Sequence, residues 1–575
     1  LGGEVVLQAI KNILKGQIFD ENFLMSIATI GAFAIGDYAE GVAVMLFYQI
    51  GEYFQDAAVR KSKKSITSLM DIRPDYANLK QGADIKIVSP DIIKIGDTIV
   101  VKPGEKIPLD GTILDGDSMV DTSALTGESV PRTVKQGESV LAGCINQSGV
   151  LTIEVTKEFG ESTVAKIIDL VENASSKKAP SENFITTFSR YYTPVVVILA
   201  LLLALIPPLF MNGAWSEWIN RGLIFLVISC PCALVISIPL GFFGGIGAAS
   251  RRGILVKGSN YLEALNNIDT IVFDKTGTLT KGVFVVNSIN PFGNITEADL
   301  LALAAKAEAF SNHPIAISIL KAFGTTVSKE SIHDYEEISG HGIRVKSDGL
   351  EILAGNDKLM KLNKISFEEN TEIGTKIYIS VDNVFVGSIV ISDEIKPDSR
   401  EAITNLKAKG IRKTVMLTGD NTQIAEAIAK ELNIDEVHSQ LLPDQKVEQL
   451  ELLDKQKSPK GKLAFIGDGI NDAPVLARAD IGIAMGGLGS DAAIEAADVV
   501  LMTDEPSKLV SAIDISRITK RIVLQNIAFA LGVKGIFLIL GAFGIASMWE
   551  AVFADVGVSL IAIINAMRIL KIYKN

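Results

Sequence analysis

Residues 270–278 read Thr-Ile-Val-Phe-Asp-Lys-Thr-Gly-Thr. A short apolar, β-branched run ends in a turn that carries an acid, a base and a glycine. Two later stretches repeat the pattern. Thr414-Val415-Met416-Leu417 leads into Thr418-Gly419-Asp420-Asn421, and Leu463-Ala464-Phe465-Ile466 leads into Gly467-Asp468-Gly469-Ile470-Asn471-Asp472. Apolar runs of this kind suit buried strands. Helical patterns separate them, which predicts a parallel α/β sheet. In open sheets of that type ligands bind at the carboxyl ends of the strands. Asp and Gly favour turns on their own account, so one such turn says little. Three acidic turns at three strand ends predict one crevice. Several carboxylates there suit Mg²⁺, which prefers oxygen ligands. Lys446, on the next helical pattern, is placed to reach a phosphate. A carboxylate in such a crevice can act as a covalent nucleophile toward ATP.

Outward from this core the chain is unusually apolar. It has 575 residues, 48% hydrophobic and 21% charged, with a mean hydropathy of +0.32. That balance excludes a disordered chain. The length suggests about four domains. With 67 acidic against 55 basic side chains the net charge is −12 and the pI ≈ 5.1. An acidic chain argues against nucleic acid as a partner. The chain begins at Leu1 with no signal peptide, and reads as a fragment whose upstream part is missing.

The apolar excess sits in blocks. Residues 192–211 and 222–250 carry no charge, 522–548 carry only Lys534, and 551–567 carry only Asp555. Each approaches or exceeds the ~20 residues that a spanning helix needs. Weaker spans lie at 23–35 and 41–54, the second with Glu52, and residues 1–20 read as an amphipathic segment or a truncated helix. Basic residues follow the second and fourth spans and precede the fifth, including Arg60, Arg251, Arg252, Lys520 and Arg521. By the positive-inside rule both large soluble segments are cytoplasmic, in a multi-pass cell-membrane protein, expected in a bacterial plasma membrane. The expected divisions are helix pairs at 21–64, 191–255 and 518–575. A β-rich domain is expected at 65–190, the α/β domain at 256–282 and 390–517, and an α+β insert at 283–389.

Asp-Lys-Thr-Gly-Thr at 274–278 resembles the signature of the P-type ATPases. Thr126-Gly127-Glu128-Ser129, Thr418-Gly419-Asp420 and 467–474 match that family's other signatures, in the right order. The resemblance implies a fold class: a helical transmembrane bundle with a β-rich actuator domain, a haloacid-dehalogenase-like α/β phosphorylation domain and an α+β nucleotide-binding insert. It also implies roles by position. Asp274 is the phosphorylated nucleophile, followed by Lys275. Asp468, Asp274 and the carbonyl of Thr276 hold Mg²⁺. Lys446, Thr418, Gly419, Asp420 and Asp472 order the phosphoryl group and its surroundings, and Glu128 positions the hydrolytic water. Related phosphatases usually carry a second Asp where this chain has Thr276. A Thr hydroxyl transfers protons poorly at neutral pH, so the aspartyl-phosphate should persist, as a pump requires. Glu308, His313-Pro314, Gly340 and Gly342 resemble the ATP-binding elements of the family's heavy-metal branch. His333 and His438 match nothing and read as surface or core residues.

The three cysteines are Cys144, Cys230 and Cys232. One proline separates the last two, which argues against a disulfide. Cys-Pro-Cys inside a span opens the helix and offers two thiolates, soft ligands that select Zn²⁺, Cd²⁺, Pb²⁺ or Cu⁺ over Mg²⁺. Cys144 reads as a small core hydrophobe. Intramembrane charges default to function, and Lys534 and Asp555 lie on adjacent spans. The Zn²⁺/Cd²⁺/Pb²⁺-exporting subgroup looks similar, with the Asp a metal ligand and the Lys a counter-charge. Glu52 resembles an acid proposed there for ion release. Cys230, Cys232 and Asp555 suit Zn²⁺. The expected function is ATP-driven export of Zn²⁺, Cd²⁺ or Pb²⁺, in a lipid bilayer and with no obligate protein partner evident. The rivals are a Cu⁺ pump and a membrane-tethered phosphohydrolase or metal sensor.

Overall fold

The computed structural model describes residues 2–14, 21–67, 74–82, 84–123, 131–165, 178–211, 214–311, 313–328, 332–338, 340–372, 374–468, 472–486 and 495–572. The chain divides into two compact units, residues 1–267 with 498–503 and 511–575, and residues 268–497 with 504–510.

The first unit holds the apolar helices. They are α1 (Gly3–Leu14), α2 (Glu21–Ala34), α3 (Tyr38–Thr67), α4 (Pro180–Met211), α5 (Trp215–Ile228), α6 (Cys232–Ser250), the short α7 (Ser259–Leu265), α8 (Ser507–Ala542, from Ser511 on) and α9 (Met548–Ile572). Among the described residues, four stretches are long and apolar enough to cross a membrane: Tyr191–Phe210, Trp215–Ser250, Ser507–Ala542 and Trp549–Leu570. α2 is shorter, and α3 is a charged 30-residue helix. Val5, Met25, Val44, Tyr48, Leu223, Val227 and Ala551 pack in one cluster that joins α1, α2, α3, α5 and α9.

The predicted fourth span is two helices. α5 and α6 meet at Ser229-Cys230-Pro231, where Pro231 has no N–H to continue the ladder. Ser229 instead turns its hydroxyl back onto the carbonyl of Leu226, at 2.6 Å.

Between α3 and α4 lies the β domain. A six-stranded antiparallel sheet runs Asp84–Val88, Ala77–Gln81, Thr98–Val101, Leu151–Val155, Gly111–Asp115, Ser139–Val140. Three strands, Arg132–Val134, Ser118–Asp121 and Ile145–Asn146, form a second sheet. Ile99, Ile107, Leu109, Ile113, Leu151 and Ile153 make the core. Buried Asp110 ties the domain by accepting from Ala142 N (2.8 Å), Thr163 N (3.0 Å) and Thr163 Oγ1 (2.8 Å). The domain is shorter than the expected 65–190. α3 continues to Thr67 and α4 starts at Pro180, because the helical pattern outlasts the apolar stretch at both ends.

The second unit is built on a parallel sheet. Its strands are β1 (Ile268–Asp274), β8 (Lys413–Leu417), β9 (Glu436–His438), β10 (Lys462–Gly467) and β11 (Ile481–Met485), side by side in the order β11-β10-β1-β8-β9. Val272, Val415, Leu463 and Phe465 are fully buried among helices, as expected of strands covered on both faces. The insert is a six-stranded antiparallel sheet. It consists of β2 (Thr280–Pro291), β3 (Ile332–Ile338), β4 (Gly342–Ser347), β5 (Leu350–Gly355), β6 (Thr375–Val381) and β7 (Val384–Ile395), ordered β2-β7-β6-β5-β4-β3. The expected boundaries at 283 and 389 fall inside β2 and β7. These two 12-residue strands pair from Thr280↔Ile395 to Pro291↔Gly387, with register shifts between Thr280 and Phe284 and between Val286 and Ser288, and run from the crevice into the insert.

Candidate phosphorylation and metal sites

In the second unit the parallel register sets Asp274 beside Leu417 and Phe273 beside Ile466. The three turns therefore leave the same end of the sheet. Lys446, on helix Pro443–Lys455, reaches back to donate to Asp274 Oδ1 at 2.6 Å and Asp472 Oδ1 at 2.9 Å. Burial and the nearby Asp472 push the Asp274 carboxyl above the usual range, against the pull of Lys446. Burial lowers the Lys446 ammonium, but Asp274 and Asp472 outweigh it and the net shift is upward. The site therefore favours a cation between two buried carboxylates.

Lys275 is almost wholly buried. It pairs with Asp420 at 2.6 Å and with Asp393 at 3.4 Å. The hydroxyl of Thr418 accepts from Asp420 N at 3.1 Å. Gly277 is left-handed, with φ +72°, and a Cβ there would lie 3.2 Å from Asp468 Oδ2. Asp468 is thereby packed against the 274–278 turn. The donor set of Asp274, Asp468 and the backbone of that turn is all oxygen, which fits Mg²⁺. Glu128, Asn312 and Asn471 lie outside the described residues, as does the side chain of Pro314.

Two residues that the sequence reading missed complete this centre. Asp393 accepts from Thr280 Oγ1 as well as pairing with Lys275. Lys396 donates to the carbonyl of Gly277 at 2.7 Å and to Asp504 at 3.1 Å. The signal was present: β7 is a fourth apolar run, and it ends on the acidic stretch Ser392-Asp393-Glu394-Ile395, with Lys396 directly after it.

In the insert, Glu308 caps the end of helix Glu297–Ala307 and is buried. Burial pushes its carboxyl up to about 7, against the Ser311 hydrogen bond. His313 caps helix Pro314–Phe323, its Nδ1 accepting from Ile315 N at 3.3 Å, and its ring is exposed. Gly340 has φ +72°. Gly342 admits no side chain, since a Cβ would lie 2.3 Å from the carbonyl of Ala354. His333 is exposed on β3, and His438 pairs with Glu436 at 2.7 Å.

In the first unit Cys230, Cys232 and Asp555 converge, with ligand atoms all within 4.8 Å of one another and every residue buried. Lys534 donates to Asp555 Oδ1 at 2.7 Å, to the carbonyl of Ile228 at 3.2 Å, and to the carbonyl of Cys230. The helix break frees these carbonyls, and the ammonium fills the space that they face. Contrary to the expectation from their spacing, Cys230 and Cys232 form a disulfide, with Cα atoms 5.5 Å apart, inside the usual range. Only the reduced pair offers two thiolates. Cys144 is buried in the β domain, where desolvation drives its thiol to about 12, consistent with an inert core residue. Glu52 is exposed on α3 and lies outside the converging group.

The fold and first site define a phosphoryl-transfer enzyme of haloacid dehalogenase type joined to a membrane domain. Residues 268–480 match haloacid dehalogenase-like hydrolases, and residues 71–172 match the P-type ATPase actuator domain. The chain is 62% identical to a cadmium, zinc and cobalt-transporting ATPase of Bacillus subtilis, over its whole length and 82% of that protein. It is 58% identical to a zinc-transporting ATPase of Synechocystis, over 99% of this chain and 79% of that one. A crystal structure of a zinc-transporting PIB-type ATPase in the E2.Pi state superposes with a TM-score of 0.65 at 37% identity, covering 99% of this chain and 93% of that one. The chain belongs to the P-type ATPases. ATP and Mg²⁺ use and a multi-pass membrane location follow from that membership.

Proposed function

We propose that this protein exports soft divalent metal ions, Zn²⁺ and Cd²⁺ foremost, with Pb²⁺ in the same donor class, through an aspartyl-phosphate on Asp274. The observation that carries the reading is the buried meeting of Cys230, Cys232 and Asp555 with Lys534. Two thiolates and one carboxylate supply −3 against an ion of +2. The ammonium of Lys534 balances the remainder. A hard carboxylate suits Zn²⁺ or Cd²⁺ better than Cu⁺.

At the phosphorylation site Asp274 attacks the γ-phosphorus of ATP, the bond to the ADP oxygen breaks, and ADP leaves. Asp274, Asp468 and the Thr276 carbonyl would hold Mg²⁺, which when bound would neutralise charge on the phosphates. Lys446 holds Asp274 and then the phosphoryl oxygens. Thr276 contributes no acid–base group, so the acyl phosphate survives until Glu128 directs water at it. Glu308, His313, Gly340 and Gly342 bind the nucleotide, and Glu52 is the release contact.

The test is the ATPase rate of the reduced protein in lipid against Zn²⁺, Cd²⁺, Pb²⁺, Co²⁺ and Cu⁺, beside Asp274→Asn and Asp555→Ala. Stimulation by the divalent ions, absent in both variants, is expected. Stimulation by Cu⁺ alone would overturn the Lys534–Asp555 argument. Hydrolysis indifferent to every metal would favour a tethered phosphohydrolase.

A further inference from the structure

Within the first unit the start of α4 and the short helix α7 are tied by a reciprocal set of hydrogen bonds. Glu182 Oε2 accepts from Ala179 N at 3.0 Å and from Ser259 Oγ at 3.0 Å. Glu263, on α7, accepts from Ser181 N at 3.0 Å and from Ser181 Oγ at 2.7 Å. Ala179 N is also within 3.0 Å of Ser259 Oγ. Glu182 and Ser259 are both buried.

The chemistry is that of helix capping divided between two segments. The first N–H groups of a helix have no partner within it. Glu182 reaches back to the N–H just before α4, as a capping-box acid does. The next open N–H, that of Ser181, is satisfied by Glu263 from about eighty residues away. The N-terminus of α4 is therefore complete only while α7 is docked.

Three more contacts converge on α7. Ser516 of α8 donates to the carbonyl of Leu262 at 2.5 Å. Gly245 of α6 brings its backbone so close that a Cβ would meet Leu262 Cδ2 at 2.7 Å and Thr519 Oγ1 of α8 at 2.4 Å. Lys520 of α8 reaches Asn267 at 3.4 Å, just after α7. Along the chain α7 lies between α6, which opens with Cys232, and β1, which ends with Asp274. With the short strand Ile254–Val256 before it, α7 makes up the segment that joins the cysteine helix to the phosphorylated strand, and α4 and α8 both hold it.

We propose that Glu182 and Glu263 are positioning residues of the transport cycle. By docking α4 on α7 they make phosphorylation of Asp274 conditional on occupancy of the membrane site. The proposal rests on the metal-coupled reading above. Neither residue touches metal or nucleotide; both act through the placement of α7.

The experiment compares wild type, Glu182→Gln with Glu263→Gln, and the milder Ser181→Ala with Ser259→Ala, all full length and reduced in lipid. Phosphoenzyme formed from ATP is measured without metal and at saturating Zn²⁺, together with bound Zn²⁺ and the KM for ATP. The expected result is a metal-stimulation ratio lowered about fivefold or more, the lower end of typical coupling between sites. Zn²⁺ stoichiometry and KM should not change. An unchanged ratio in the glutamine pair overturns the proposal. So does loss of bound Zn²⁺ in step with the ratio in both pairs, which marks a merely structural tie. A wild type that no metal stimulates overturns the export reading instead. A stimulated wild type with equally stimulated variants overturns only this one.

Discussion

Gly277 is held in place by two independent constraints. Its φ of +72° is costly for an L-residue, about 1–2 kcal/mol, and a Cβ would press on Asp468. Gly277→Ala should therefore slow phosphoenzyme formation at limiting Mg²⁺ more than at saturating Mg²⁺, which a titration of the phosphorylation rate reads directly. Lys446→Met removes the cation that both Asp274 and Asp472 share. Its phosphorylation rate should fall about a hundredfold or more, the range for losing one charge-stabilising donor. Glu308 predicts a pH dependence. Its folded pKa of about 7 lies above the model-peptide value of 4.5. Below that lower value the carboxyl is neutral in both states and costs nothing. As pH rises to about 7 the unfolded chain ionises first, so stability falls, by up to about 3 kcal/mol. Hydrogen exchange in helix Glu297–Ala307 should be less protected at pH 8 than at pH 6, and Glu308→Gln should flatten the difference. Equal protection at both pH values in the wild type would refute this assignment. Asp274, Thr418 and Asp468 were legible because each ends an apolar run. Asp393 and Lys396 were not, since their run begins inside the insert and reads as part of it.

At the level of elements, the break between α5 and α6 is what turns two cysteines into a site. The proline announced it; the starting point of α5 was hidden, because Glu217, on the exposed first turn, and Arg221, half-buried one turn later, interrupt the apolar count. The disulfide is hidden for a related reason. Two residues apart on a regular helix, side chains leave on opposite sides; at Pro231, with φ −80° and ψ 25°, the backbone is not helical. Pro231→Ala should extend the helix through Cys232 and turn the sulfurs apart. The expected outcome is loss of metal-stimulated ATPase with phosphorylation by inorganic phosphate retained. Retained Zn²⁺ stimulation would show that the opened backbone is dispensable. The β2–β7 pair carries a comparable lesson. Its strands are long enough to serve two sheets, so a boundary drawn from composition alone cuts through both.

On the scale of the whole molecule, Lys534 and Asp555 are each 4% exposed by side chain. Removing one of a buried ion pair leaves the other uncompensated, at roughly 3–5 kcal/mol, whereas replacing both with apolar groups is often neutral. Asp555→Leu should accordingly lower the unfolding temperature in lipid. Lys534→Met with Asp555→Leu should recover most of the loss while still failing to bind Zn²⁺. A double variant less stable than the single one would refute the pairing. Lys534 also rides on the longest helix among the described residues. α8 has 36 residues, about 54 Å at 1.5 Å per residue, against a hydrocarbon layer of about 30 Å. The helix runs unbroken from Ser507 to Ala542, so its two ends are joined by one continuous hydrogen-bonded ladder. Whatever leverage is applied to the segment around Ser516 arrives at the ammonium some 27 Å further along, as a displacement rather than a signal.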